Sequence, residues 1–237
     1  MPLTIDFAIA KTHRYGTRES GDTAEVIERP AGGFSVVLVD GQGTGAAAKL
    51  LSLQVAGQVV SLLNAGVRDG AAARAAHDYL FATRGGKVSA ELCILSVDLA
   101  SRSLVITRNS TVPVVLWRDG VISLVDDQSE RIGIYRHTRP HVFELPMEAE
   151  TRVVIVSDGV IHAGERWSCP FTLPAAVEAV FAATVTAECA ADELLQQAIA
   201  ADRGRPNDDM TVVVLSLAAG GAEQPIRKLR LTVPLTR

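Results

Sequence analysis

Strand-like and helix-like hydrophobic periods occupy separate blocks of this chain, and that segregation limits its fold more than any other feature. Alternating or continuously apolar runs at 5–10, 23–28 and 34–39 read as strands. Pro30, Gly32 and Gly33 punctuate the turn between the second and third. Val36 to Val39 is apolar throughout, as expected for a strand buried on both faces. Helical spacing then takes over across 46–64, where Leu51, Val55, Val59, Leu62 and Leu63 recur, and again across 69–81, with Ala72, Ala73, Ala76, Tyr79 and Leu80 inward. Gly66 and the pair Gly85 and Gly86 stop these helices. Strand patterns return at 91–98, 103–109, 112–117, 121–125, 141–145 and 152–157, then helical patterns at 173–183 and 187–201, then a strand at 210–217. Blocks of this kind predict an α+β fold in layers rather than a repeating βαβ sheet. The block pattern fills 1–217. A small-residue linker at 218–222 leads from it to 227–233, within an extension at 218–237. There Arg227, Leu229, Leu231 and Val233 alternate with Lys228, Arg230 and Thr232, the pattern of a strand added to a sheet edge. That edge would belong to the same subunit or to a neighbour, so a homodimer is among the expected assemblies.

A chain of 237 residues with 48% hydrophobic content can bury one sizeable core. A formal net charge of -4 and the lack of a basic stripe argue against a nucleic-acid partner. Cys93, Cys169 and Cys189 are too few and too scattered for a disulfide framework or a zinc set. There is no basic leader followed by an apolar stretch, and no run of about 18 apolar residues that reads as a membrane span. A cytoplasmic protein with no membrane association is therefore expected.

The residues that carry chemistry are aspartates. Asp22, Asp40, Asp158 and Asp208, with Asp209 beside it, stand at the ends of apolar strand runs, where a sheet can aim carboxylates at one point. Hard cations such as Mg²⁺ and Mn²⁺ favour such oxygen clusters, and without cations the cluster would repel itself. Two cations close together can share a water, lower its pKa and direct it at phosphorus. Each piece alone is weak, because Asp-Gly is a common turn dipeptide. The glycine turn Asp40-Gly41-Gln42-Gly43-Thr44-Gly45 fits neither a Walker A loop nor a Rossmann fingerprint. Ser157 lies outside any Gly-x-Ser-x-Gly elbow. His137 and His141 are separated by Pro140, which argues against a helical metal pair. His162, four residues after Asp158, reads either as a general acid or as an ordinary loop histidine.

Together the segments are more specific. Ser20-Gly21-Asp22, Asp40-Gly41-Gln42-Gly43-Thr44-Gly45, Ser157-Asp158-Gly159 and Asn207-Asp208-Asp209-Met210-Thr211, in this order, resemble SpoIIE-type PPM protein serine/threonine phosphatases. The resemblance runs over roughly 5–217. It implies a four-layer α-β-β-α sandwich of two antiparallel sheets flanked by helix pairs, with two Mn²⁺ or Mg²⁺ ions at one end. It assigns Asp40 to bridge the ions, the Gly41 carbonyl to complete one, Asp158 and Asp208 to bind the second, and Asp22 to hold bound water or add a weaker contact. Asp40, Asp158 and Asp208 are thus the implied catalytic residues, and water activated between the ions is the implied nucleophile. Thr44 stands where relatives commonly have His, Gln42 where many have an apolar residue, and Asn109-Ser110-Thr111-Val112-Pro113 where a Gly-His-Asn-Pro-like turn is frequent. The eukaryotic branch holds phosphate with an arginine near the first aspartate; Arg14 and Arg18 lie in that region without either being singled out.

The resemblance also implies a substrate: a phosphorylated STAS-domain (anti-sigma-antagonist) or stressosome regulator of a bacterial partner-switching system. Because the pattern starts almost at Met1, the expectation is a stand-alone, RsbX-like enzyme without a sensor domain or anchor. Two other readings remain open here. One is a catalytically silent module that binds partners on the same fold. The other is a hydrolase of small phosphoesters.

Overall fold

The computed structural model of the chain describes residues 3–183, 186–220, 228 and 230–233. The elements run β1 (Leu3–Thr12), β2 (Asp22–Glu28), β3 (Gly33–Gly41), α1 (Gly45–Asn64), α2 (Asp69–Arg84), β4 (Ala90–Asp98), β5 (Ser103–Asn109), β6 (Val114–Arg118), β7 (Val121–Val125), β8 (His141–Pro146), β9 (Thr151–Val156), α3 (Asp158–Ile161), α4 (Leu173–Ala183), α5 (Ala187–Ala201) and β10 (Met210–Ala219). They form two five-stranded antiparallel sheets. One has the order β1-β10-β9-β6-β7 and the other β2-β3-β4-β5-β8.

Residue parity sorts the side chains into three apolar layers. Val36 and Leu38 of β3, with Cys93, Leu95 and Val97 of β4, point at the other sheet and meet Val153, Ile155, Val213 and Leu215. The alternate residues Val37, Val39, Leu92 and Ile94 point outward onto Leu51, Val55, Val59 and Leu63 of α1 and Ala72, Ala76 and Leu80 of α2. On the opposite side Val154, Val156, Val212 and Val214 pack under Val177, Val180 and Phe181 of α4 and Ala191, Leu194 and Ala198 of α5. Burial on both faces accounts for the continuously apolar strands, and the three layers give the expected α-β-β-α sandwich. Each fully buried Val or Leu contributes roughly 1.5–3 kcal/mol relative to exposure.

The expected absence of a membrane-length apolar stretch needs a correction. α1 has the length and apolarity of a membrane-crossing helix. Its face at Leu51, Val55, Val59 and Leu63 is nevertheless buried on β3 and β4, so it packs as a core helix.

Several boundaries shift from the sequence reading, and three departures bear on how the sheets end. β6 begins at Val114 rather than 112, because Val112 is already engaged: its N–H donates to Ser110 Oγ and its carbonyl accepts from Arg108 Nη2. Pro113 has no N–H to offer a ladder. Ala218 and Ala219, expected in a linker, continue β10 because Leu3 and Thr4 of β1 are there to pair with them. The expected strand at 227–233 is not a strand where it is described. Residues 228 and 230–233 are exposed and lie outside any strand, with Leu231 87% exposed, while Arg227 and Leu229 lie outside the described residues. Alternation makes a strand only where a sheet edge receives it.

Candidate functional site

At one end of the sandwich the inner apolar layer gives way to carboxylates. Following Val36 and Leu38 along the inner face of β3, the next residue is Asp40. Its registered partners are Asp22 on β2 and Glu91 on β4, so three carboxylates lie side by side on one face of one sheet. The facing sheet supplies Thr211, whose hydroxyl donates to Asp22 Oδ2 across the seam at 2.6 Å. Asp158 opens α3 directly after β9, and Asp208 lies just before β10.

Asp40, Asp158 and Asp208 line a cavity of about 240 Å³ together with Gln42, Thr44, Ser89, Glu91 and Arg131. Asp22 does not line it; it is 1% exposed and sits behind Asp40, with Oδ1 buried and unpartnered. Gly41 ends β3, buried and not itself among the residues that line the cavity. A Cβ there would overlap the carbonyl of Ala48, so its glycine lets α1 approach the site. Gly159 does the same against the Asp209 carbonyl. These two Asp-Gly pairs thus serve backbone packing around the carboxylates rather than left-handed turns.

Asp208 and Asp209 have separate jobs. Both oxygens of buried Asp209 are used: Oδ1 accepts from Arg14 N–H and Oδ2 from Gly21 N–H, each at 2.8 Å. Asp209 therefore ties the β1–β2 connection to β10. Asp208 is half-buried and turns to the cavity.

The electrostatics are those of crowded acids. Burial, then the charges of Asp22 and Asp158, push Asp40 up to about 10. Burial raises Asp22 to about 6, against hydrogen bonds from Thr211 and Ser157 that lower it. Burial also raises Asp208, partly offset by the Asp209 N–H. Of the three, Asp40 holds a proton at neutral pH unless a cation replaces it.

The all-oxygen donor set and the unpartnered Asp22 Oδ1 fit hard divalent cations. Among the described residues, however, no three His, Cys, Asp or Glu side chains already form a closed cage. Asp158 instead accepts a long contact of 3.4 Å from Arg131 Nη2, and its charge is among those that raise Asp40.

Glu91 and Arg131 escaped the sequence reading. Glu91 is buried and accepts from Arg131 Nε at 2.7 Å, Ser110 Oγ at 2.6 Å and Thr111 Oγ1 at 2.8 Å. The unusual Ser110-Thr111 turn thus holds the carboxylate that holds Arg131. Gln42 locks the glycine turn to β4: its Oε1 accepts from Ser89 N–H at 2.8 Å. The histidine reading is settled differently. His162 is exposed, bonded through Nδ1 to Glu165 at 2.9 Å, and does not line the cavity. Its pKa is raised chiefly by that bond, so it reads as a loop histidine.

Comparison with known proteins gives a consistent picture. The family model described as Stage II sporulation protein E (SpoIIE) matches residues 30–218. Stage II sporulation protein E of Priestia megaterium is 23% identical over 213 residues, covering 90% of this chain and 36% of that protein. The Bacillus subtilis (strain 168) protein of the same name is also 23% identical, covering 90% of this chain and 26% of its own length. The chain therefore spans about a third or less of these relatives. Among solved structures, the PP2C phosphatase domain of SpoIIE from Bacillus subtilis, with a fragment of its regulatory domain, superposes with a TM-score of 0.79 at 22% identity, covering 91% of this chain and 62% of that one. The PPM Ser-Thr phosphatase MsPP from Mycobacterium smegmatis, in complex with cacodylate, gives 0.68 at 18% identity, covering 89% and 97%. At these identities the superpositions establish the PPM phosphatase fold.

Proposed function

Because the chain belongs to the SpoIIE family, we propose that it is a divalent-cation-dependent phosphatase acting on phosphoserine or phosphothreonine in a protein. The observation that carries this reading is the convergence of Asp40, Asp158 and Asp208 on one cavity at the seam of the two sheets. Those three would hold two Mn²⁺ or Mg²⁺ ions, with the Gly41 carbonyl completing one set and Asp22 behind. When bound, the ions supply an acidified water and neutralise charge developing on phosphate. Water adds to phosphorus, the P–O bond to the serine or threonine oxygen breaks, and that oxygen leaves with a proton as the alcohol.

The chain's own residues do the rest. Asp40, whose pKa burial and its acidic neighbours push up to about 10, would lose its proton where a cation is held. Thr211 and Asp209 fix the carboxylate-bearing segments across the seam. Glu91 holds the Arg131 guanidinium at the cavity wall, where its outward N–H groups can take a phosphate oxygen.

For the substrate we infer a phosphorylated STAS-domain or stressosome regulator in a partner-switching stress response, met in the cytoplasm. The support is the family membership and the resemblance of the aspartate segments. The test is to phosphorylate STAS proteins of the same genome with their kinases and follow phosphate release with Mn²⁺, with Mg²⁺ and with chelator. Processing no faster than that of an unrelated phosphopeptide would remove the substrate assignment. Chelator-insensitive release would remove the cation mechanism. The open cage and the Arg131–Asp158 contact favour one second reading, a silent partner-binding module. That reading predicts tight binding of the same proteins and no release under any cation.

A further inference from the structure

Beside Asp208 three connecting segments meet and carry four exposed arginines: Arg14, Arg166, Arg203 and Arg205. The segments are stitched together. Tyr15 N–H donates to the Pro206 carbonyl at 2.9 Å, and Arg14 N–H donates to Asp209. Buried Asp202 accepts from Gly164 N–H at 2.8 Å and from Asn207 N–H at 2.7 Å, which fixes the 164–167 segment against the 202–207 segment. Arg166 Nη1 donates to Asn207 Oδ1 at 3.3 Å.

Aromatic rings hold the guanidinium groups. Arg203 lies 4.2 Å and Arg166 5.6 Å from the centre of the Trp167 ring, and Arg205 lies 5.2 Å from that of Tyr15. A guanidinium stacked on a ring has lost part of its rotamer freedom, yet its in-plane N–H groups still point outward for carboxylates. None of the four forms an ion pair with a described carboxylate. The nearby acids are otherwise engaged: Asp202 by backbone N–H groups, Glu165 by His162 and Asp208 by the cavity. On a chain with a net charge of -4, this is a concentrated basic rim.

We propose that this rim docks an acidic segment of the substrate protein, so that the preferred phosphoserine or phosphothreonine has Asp or Glu residues within a few positions. The inference rests on the phosphatase reading for the word substrate, while docking itself is separable. Continuity of the rim with the Asn207-Asp208-Asp209 segment favours a protein chain already anchored by its phosphate over a nucleic acid.

The experiment uses the full chain and two peptides with a central serine, one flanked by Asp and Glu and the other by Asn and Gln. Fluorescence anisotropy with the unphosphorylated pair, without cations, reads docking alone. Phosphate release from the phosphorylated pair with Mn²⁺, normalised to p-nitrophenyl phosphate on the same preparation, reads selection. The acidic peptide should be preferred about tenfold in both, at low salt, with the preference shrinking as salt rises. In Arg203→Glu/Arg205→Glu the preference should vanish, and a Lys-flanked peptide should become the better ligand. Arg166→Glu, with its thermal midpoint measured, provides a second variant should the first misfold. Equal binding of the two peptides would overturn the proposal. So would a preference that survives both variants, or tighter binding of a single-stranded oligonucleotide of equal charge. Preference in binding without phosphate release from any substrate would sustain the docking rim and sink the phosphatase reading.

Discussion

Asp22 and Asp40 are registered cross-strand partners on β2 and β3, Asp22 buried and Asp40 half-buried beside it at the cavity. Like charges directly opposite one another destabilise a sheet. The pair persists because protons, or divalent cations, remove the repulsion.

That arrangement sets the pH dependence. Both groups have folded pKa values raised above the ordinary carboxylate value, Asp22 to about 6 and Asp40 to about 10. The folded state therefore binds more protons than the unfolded state, and stability falls as pH rises. Asp22 contributes to the fall up to about 6, and Asp40 continues it toward about 10. In chelator, the thermal midpoint should drop between about pH 5 and about pH 8. Mn²⁺ should restore more of it at the higher pH. A flat profile in chelator would contradict the assignment.

Asp40→Asn and Asp158→Asn should each reduce turnover to background while leaving the fold intact, because removing one crowded carboxylate relieves repulsion in the cation-free protein. Rate and thermal midpoint measured on the same samples check this. Asp22→Asn should act more mildly, by on the order of 10–100-fold in cation affinity or rate, as befits a group behind the cavity.

Arg131→Ala should lower kcat/KM for p-nitrophenyl phosphate by about 10–100-fold, the scale of one charge-assisted hydrogen bond to phosphate. Inhibition by inorganic phosphate should weaken in parallel, with Mn²⁺ affinity retained by calorimetry. Arg131→Lys should rescue part of the loss but not all, since it cannot keep the Nε contact to Glu91 while reaching outward. Unchanged phosphate inhibition would place Arg131 outside the phosphate site.

Gly41→Ala should destabilise the protein by about 1–3 kcal/mol, because the added methyl must push α1 away at Ala48. The thermal midpoint checks it. Loss of activity greater than loss of stability would show that the approach of α1 also shapes the site.

The sequence made the layered fold and the aspartates legible for different reasons. Strands such as Phe34 to Val39 are buried on both faces, so an unbroken apolar run reports them directly. The aspartates interrupt such runs, which makes them conspicuous. Glu91 and Arg131 gave no comparable signal. Glu91 looks like the exposed start of an apolar strand, and its meaning depends on facing Asp40 in the register. Arg131 is one arginine in a loop, and only the fold brings it to residues 40 positions earlier and 27 later. The four-residue helix α3 is too short to leave a period. At 227–233 alternation is present, and the described residues 228 and 230–233 lie outside any strand.

The hydrogen bond from Thr211 to Asp22 crosses between sheets, and so does the grip of Asp209 on Gly21. Ownership of the cavity is divided accordingly: Asp40 and Glu91 belong to one sheet, while Asp158 and Asp208 adjoin strands of the other. Neither half can assemble a binding centre by itself. The cavity is a property of the closed sandwich, present only while the two sheets face each other. A chain with one sheet in place thus carries only part of the constellation, and is chemically mute.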